Sequence, residues 1–183
     1  MKKLLVILFF SSLFSCLSKP ENKTTSNSSV PSTGTKQETI HPVETYFVEE
    51  NDSVVIPSFE IKLSLSDSAE HLLRSRKESV IVKAYYSGVP KDTLLKEYRD
   101  WGKISIHSRS IELTQSRIAK FNNIKISKET YKALSDKNIE VLINVFSGRR
   151  SAKNNLLDCN ILQDKISNIK DKSFTLTGKL IDE

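Results

Sequence analysis

Strict alternation of apolar and polar side chains constrains this chain more than any other feature. Phe59, Ile61, Leu63 and Leu65 take every second position, and Glu60, Lys62 and Ser64 fill the gaps. A helix would scatter those four apolar groups around its circumference. An extended strand puts them on one face and the polar groups on the other. Ser79 to Ser87 repeats the pattern, with Val80, Val82, Ala84 and Tyr86 alternating. Ile139 to Phe146 (IEVLINVF) is nearly all apolar: Ile139, Val141, Ile143 and Val145 share one face, and Leu142 and Phe146 lie on the other. A strand apolar on both sides is predicted to sit centrally in its sheet.

Weaker strand signals fill the rest of the chain. They cover Thr45 to Glu49, Val54 to Ile56, Ile104 to Ile106, Ile111 to Leu113, Ile118 to Ile126, Leu156 to Leu162 and Ser173 to Ile181. Two segments read as short helices. One begins at Ser66-Asp67, with Asp67 as the expected cap, Glu70 three residues on, and Leu72 and Leu73 as the apolar face. The other spans Ser127 to Ser135, with Ser127 as the cap and Tyr131 and Leu134 turned inward. Lys91 to Asp100 is charged and fits neither period. Long helices do not alternate with the strands, which disfavours a parallel α/β arrangement. The expectation is a mainly β fold: an antiparallel β-sandwich of seven to eight strands with two short helices, formed by residues 45–183.

The N-terminus has a different character. Met1-Lys2-Lys3 is basic, Leu4 to Phe10 (LLVILFF) is an unbroken apolar run, and the segment closes on Leu13-Phe14-Ser15-Cys16. That layout is the layout of a secretory signal peptide. Its apolar run is far shorter than the roughly 20 residues a membrane-spanning helix needs. Leu13, Ser15 and Cys16 resemble the lipobox of bacterial lipoproteins, the substrates of signal peptidase II, although Phe14 is bulkier than the residue usual there. The resemblance implies removal of residues 1–15 and lipid on Cys16, hence a membrane partner reached through that anchor. Leu17 stands where Asp retains such proteins at the inner membrane of enteric-type envelopes, so the resemblance implies the outer membrane. Residues 16–44 are rich in Ser, Thr, Asn, Lys and Pro without periodicity. They read as a disordered tether, able to reach roughly 30 Å as a flexible coil.

Charge and cysteine usage narrow the partners. Of 183 residues, 28 are Lys or Arg and 22 are Asp or Glu, a formal charge of +6 that falls to +4 once Lys2 and Lys3 leave with the signal. An excess so small, on an exported chain, gives no case for a nucleic-acid partner. Two cysteines are present, Cys16 and Cys159. With Cys16 lipidated, Cys159 has no intramolecular partner, and stability must come from an apolar core.

Catalytic and metal patterns are missing. His41, His71 and His107 form no paired-ligand spacing, no Cys-x-x-Cys occurs, and no Gly-x-Ser-x-Gly or P-loop is found. No cofactor and no catalytic residue is expected. Cys159 and His107 are the one conceivable nucleophile–base pair, but a cysteine within LLDCNIL reads as core. The loop after the strongest strand, with Arg149, Arg150, Lys153, Asn154 and Asn155, is the candidate binding loop. Arg forks suit carboxylate or phosphate groups. The competing reading is a solvated hairpin loop whose arginines pair with Asp158 or glutamates.

The run Ala119-x-Phe121, Ile126, Tyr131, followed by a strong strand, resembles immunoglobulin-like or transthyretin-like modules. That resemblance implies a sandwich and no activity. The sequence is therefore read first as a lipoprotein presenting a β-sandwich binding or scaffolding module, with an envelope protein or polysaccharide as partner. The second reading is a lipoprotein subunit of an envelope secretion complex, and the third a hydrolytic enzyme. Mass spectrometry of the native protein should show Cys16 as the N-terminal residue carrying a diacylglyceryl thioether. Cys16→Ser should move the protein into the aqueous phase of a detergent extraction.

Overall fold

The alternating runs lie on strands, and their apolar faces meet in one core. The computed structural model describes residues 47–183; the signal segment, Cys16 and the tether lie outside the described residues. The chain runs β1 (Val48–Glu50), β2 (Ser53–Ile56), β3 (Phe59–Leu65), α1 (Asp67–Ser75), β4 (Val80–Gly88), α2 (Lys96–Trp101) and β5 (Ile104–Leu113). It continues through β6 (Ile118–Phe121), β7 (Ile124–Ser127), α3 (Lys128–Ala133), β8 (Glu140–Ser147), β9 (Leu157–Cys159), β10 (Leu162–Lys165), α4 (Ile166–Ile169) and β11 (Ser173–Leu180). The fold is mainly β. Among the described residues, three sheets have the strand orders β1-β2-β7, β10-β8-β4-β5 and β6-β3-β11-β9.

Among the described residues, eleven strands replace the expected seven to eight, and four helices the expected two. Two expected strands are each divided between sheets. Ile118 to Ile126 breaks at Asn122-Asn123, where Asn123 takes φ 53, and its halves join β3 and β2. Leu156 to Leu162 divides in the same way into β9, paired with β11, and β10, paired with β8. Period two marks faces, and it does not reveal where a chain leaves one sheet for another. The two short strands expected between Ile104 and Leu113 are instead one strand. Backbone pairing with β4 continues through Ser108, Arg109 and Ser110, whose exposed side chains gave no apolar signal.

One pairing departs from the antiparallel expectation: β11 runs parallel to β3, from Ser173 opposite Glu60 to Gly178 opposite Leu65. Alternation is identical in both directions, so strand direction was not legible. The cap of α1 also shifts by one residue. Ser66 Oγ accepts a hydrogen bond from the Ala69 N–H at 3.2 Å, and Asp67 sits in the first turn, where its charge suits the helix N-terminus. Ser127 caps α3 as expected, accepting from the Thr130 N–H at 3.0 Å.

The core draws on every layer. Ile61 of β3, Val82, Ala84 and Tyr86 of β4, and Val141 and Ile143 of β8 are fully buried. Ala69 and Leu73 of α1, and Ile166 and Ile169 of α4, add helical faces to the same cluster. β8 occupies the interior position expected of it, between β10 and β4, although Leu142 and Phe146 on its second face are only half-buried. No helix among the described residues is long and apolar enough to cross a membrane.

Gly178 is the tightest point of the β3–β11–β9 sheet. It faces Leu65 on one side and Cys159 on the other. A Cβ there would lie 2.9 Å from Leu65 Cδ2 and 3.3 Å from the Asp158 carbonyl oxygen, and would also strike the Cys159 sulfur. Gly178→Ala should therefore lose about 1–3 kcal/mol of stability through overpacking, read as a lowered denaturation midpoint at an unchanged m-value.

Candidate functional site

The loop singled out in the sequence is held from beneath by one buried carboxylate. Glu78, just before β4, is 4% exposed. It accepts hydrogen bonds from the Arg150 N–H at 3.0 Å, the Ser151 N–H at 2.7 Å, the Ser151 hydroxyl at 2.7 Å and the Ser79 N–H at 3.0 Å. Burial alone pushes this carboxyl up, because the charged form loses water. The four donors outweigh that effect and hold it at about 2. The turn they fix includes Arg149 at φ 58, and Gly148 donates to the Ser79 carbonyl at 2.7 Å.

The loop's own side chains divide into two groups. Arg150 is spent inside the protein: its Nε and a terminal nitrogen both meet Glu112 Oε1 at 2.8 Å. The Ser79 hydroxyl donates to the same oxygen at 2.6 Å. Hydrogen bonds from Ser79 and Arg150 hold the Glu112 carboxyl below its ordinary range. Asn155 closes the base of the loop. Its Oδ1 accepts from Ser147 at 2.8 Å and Leu157 at 3.1 Å, and its Nδ2 donates to the Leu157 carbonyl at 2.7 Å. Arg149, Lys153 and Asn154 are exposed and make no side-chain hydrogen bond or ion pair among the described residues.

Beside Arg150 lies a cavity of about 550 Å³, lined also by Arg74, Lys77, Arg117, Glu70 and Glu78. Two of its four cations are matched by neighbouring carboxylates. Arg117 forks onto Glu70 at 2.7 and 2.9 Å, and Arg150 is on Glu112. Arg74 and Lys77 have no carboxylate partner among the described residues.

A second surface, not anticipated from the sequence, lies toward the other end of the same sheet. Val80 faces Ser147 where the loop begins, and Ser87 faces Glu140 seven residues along β4, roughly 23 Å away at about 3.3 Å per residue. There the outward side chains Tyr85 of β4 and Leu142 and Asn144 of β8 form an open depression of about 510 Å³ with Ile104 and Ser105 of β5 and Gln163 of β10. α2 brings Trp101 to its rim. Tyr85 is 37% exposed and Trp101 79%, and α2 buries none of its own residues.

Two contacts hold that rim. Glu97 accepts from the Ser105 N–H at 2.7 Å, tying α2 to β5. Gly102 ends the helix at φ 70, its N–H donating to the Tyr98 carbonyl at 2.7 Å; a residue with a Cβ is strained in that conformation. Lys103 pairs with Glu140, which also accepts from Gln163 at 3.4 Å. The Lys83 ammonium lies 4.6 Å from the centroid of the Tyr85 ring and occupies one of its faces. The Tyr85 hydroxyl, the Trp101 indole N–H and the Asn144 amide make no hydrogen bond within the described residues. The single Trp of the chain, set in a charged segment without apolar neighbours of regular spacing, was the available signal.

The remaining candidates are dispersed. Cys159 lies on β9 and His107 on β5, in different sheets. Burial, and then Asp158, push the thiol up to about 11, away from a reactive thiolate. His107 packs its ring 5.8 Å from that of Tyr86, and His71 is exposed on α1. His41 lies outside the described residues. No group of three or more His, Cys, Asp or Glu side chains among the described residues is placed to hold a metal ion. No family model, no curated protein and no solved structure matches this chain.

The Glu78 network has a pH signature. Its folded value lies below the ordinary 4.5, so its stabilisation is fully present above pH 4.5 and is lost as the pH falls from 4.5 toward 2. The amount at stake is on the order of 3 kcal/mol. Glu78→Gln turns an amide toward donors and should cost about 2–3 kcal/mol at neutral pH. It should also flatten stability between pH 4.5 and 2, measured by denaturant titration across that range.

Proposed function

We propose that this protein is a lipid-anchored binding module of the bacterial envelope, held at the outer membrane through Cys16. The Leu13-Phe14-Ser15-Cys16 motif supports the anchor, and the polar composition of residues 16–44 supports a tether between it and the domain. The sheets β6-β3-β11-β9 and β10-β8-β4-β5 both contribute to one apolar core, which favours an immunoglobulin-like or transthyretin-like sandwich as the architecture.

The observation that carries the binding reading is the depression at Tyr85 and Trp101. Exposed aromatic rings and side-chain donors without internal partners stand together there on a rigid sheet, the composition of a recognition surface. The loop contributes Arg149, Lys153 and Asn154 as a separate contact for an acidic group on the same partner or on a neighbouring one. The domain acts by recognition, without a catalytic residue.

The second reading, a subunit of an envelope secretion complex, is favoured by β5. This strand is ten residues long and lies at a sheet edge, with Ser108, Arg109 and Ser110 exposed. Such an edge accepts an added strand from a protein partner.

The full chain with Cys16→Ser, mixed with envelope fragments from cells lacking the protein, tests the module reading without the lipid. It should co-sediment with the fragments, and adding Trp101→Ala should reduce the bound fraction at least tenfold. Arg149→Ala with Lys153→Ala should reduce it by a smaller factor. A Cys16→Ser chain that stays wholly in the supernatant overturns the module reading and leaves the anchor alone.

A further inference from the structure

We propose that the depression between Tyr85 and Trp101 binds a neutral saccharide chain, with Trp101 as its stacking platform and Asn144 and Gln163 as hydrogen-bonding partners. This deepens the module reading and rests on it. A pyranose ring has C–H faces that are apolar and a rim of hydroxyls that both donate and accept. Its complement is a flat, exposed aromatic face beside side-chain amides. Trp101 supplies the flat face, open to solvent over 79% of its surface. Asn144 and Gln163 supply amides from adjacent strands β8 and β10, and Ser87 and Ser105 add polar groups beside them. Each amide donates and accepts at once, as a sugar hydroxyl requires.

Charge decides against the other ligands. Lys83, Lys103 and Lys165 stand around the depression with Glu97 and Glu140, and Lys165 lies opposite Glu140 on β10. Lys103 is already matched by Glu140, and Lys83 lies over the Tyr85 ring. The depression therefore offers a polyanion no cluster of unengaged cations. An aliphatic helix laid on the same floor would bury Asn144 without a partner, at a desolvation cost that a hydroxylated ligand avoids. Leu142 and Ile104, half-buried between the polar groups, suit the C–H face of a second sugar unit. With one face of Tyr85 taken by Lys83, that residue contributes its hydroxyl and its ring edge.

The backbone that carries Trp101 is held in position, so the place of the platform does not wait for the ligand. The Glu97 carboxylate bonded to the Ser105 N–H and the left-handed Gly102 fix both ends of the segment. An anchored backbone lowers the part of the ordering cost that would otherwise fall on the segment.

The test uses the fact that the chain has one Trp, so its emission reads this site alone. The full chain, purified in a detergent without a sugar headgroup, is titrated with soluble oligosaccharides of glucose, galactose, mannose and N-acetylglucosamine, and with oligogalacturonate as the acidic comparator. The expected result is a saturable blue shift with at least one neutral oligosaccharide, weakened at least tenfold by Asn144→Ala, which lies on the surface and leaves the core intact. Calorimetry should show the same heat of binding lost in Trp101→Ala and partly restored in Trp101→Phe. No saturable shift with any neutral sugar up to about 10 mM, beyond the range of weak specific sites, overturns the proposal. So does binding of the acidic comparator alone. So does a shift that follows protein concentration without sugar, which marks a second copy of the chain as occupant. A negative sugar titration alongside Trp101-dependent sedimentation with envelope fragments removes the saccharide and leaves the module reading standing.

Discussion

The antiparallel pairing of β4 with β8 is the contact on which the rest of this structure depends. From Val80 opposite Ser147 to Ser87 opposite Glu140, it sets two apolar rows side by side and directs both into the core. Val82, Ala84 and Tyr86 on one strand, and Val141 and Ile143 on the other, are fully buried. Their removal from water is the main stabilising term available to a chain whose described residues contain one free cysteine and no disulfide. The same pairing positions both candidate surfaces. The turn held by Glu78 begins where β4 starts, and the Tyr85–Trp101 depression opens toward its far end.

The two surfaces differ in what their polar groups already do. At the loop, carboxylates and amides are paired within the protein: Glu78 takes four donors, Glu112 takes Arg150 and Ser79, and Asn155 bonds Ser147 and Leu157. Such groups give the loop a fixed shape, and only Arg149, Lys153 and Asn154 stand outside that network. At the depression the balance is reversed. Tyr85, Trp101 and Asn144 keep their polar atoms for water, and the apolar area around them stays uncovered. Grouped in this way, they support the proposed binding reading more than the loop does.

Legibility in the sequence followed the range of the physics involved. The strands at Phe59–Leu65, Val80–Gly88 and Glu140–Ser147 were readable because burying one face of a strand imposes alternation on neighbouring residues. The Ser127 cap was readable because a cap acts over three residues. The loop's competing reading, arginines paired with Asp158 or with glutamates, is met by Arg150 on Glu112 and not by Arg149; that partner stands 38 positions away in sequence, and only the fold brings it close. The parallel direction of β11 on β3, the splitting of Ile118 to Ile126 between two sheets, and the role of Glu78 left no local trace.

By itself, the sequence determined that this chain would be mainly β, and it presented a basic and apolar N-terminal segment followed by a polar stretch without periodicity. Those properties depend on periodicity and composition, which act over short windows. The tertiary structure decided which side chains meet. It joined Tyr85, Trp101, Asn144 and Gln163 from three strands and a helix into one depression, because sheet register is fixed by core packing between residues distant in sequence and α2 is tied to β5 by the Glu97 carboxylate on the Ser105 N–H. Side chains on the solvent face of a strand have no packing requirement of their own, so their grouping could be read only once the strands were laid side by side.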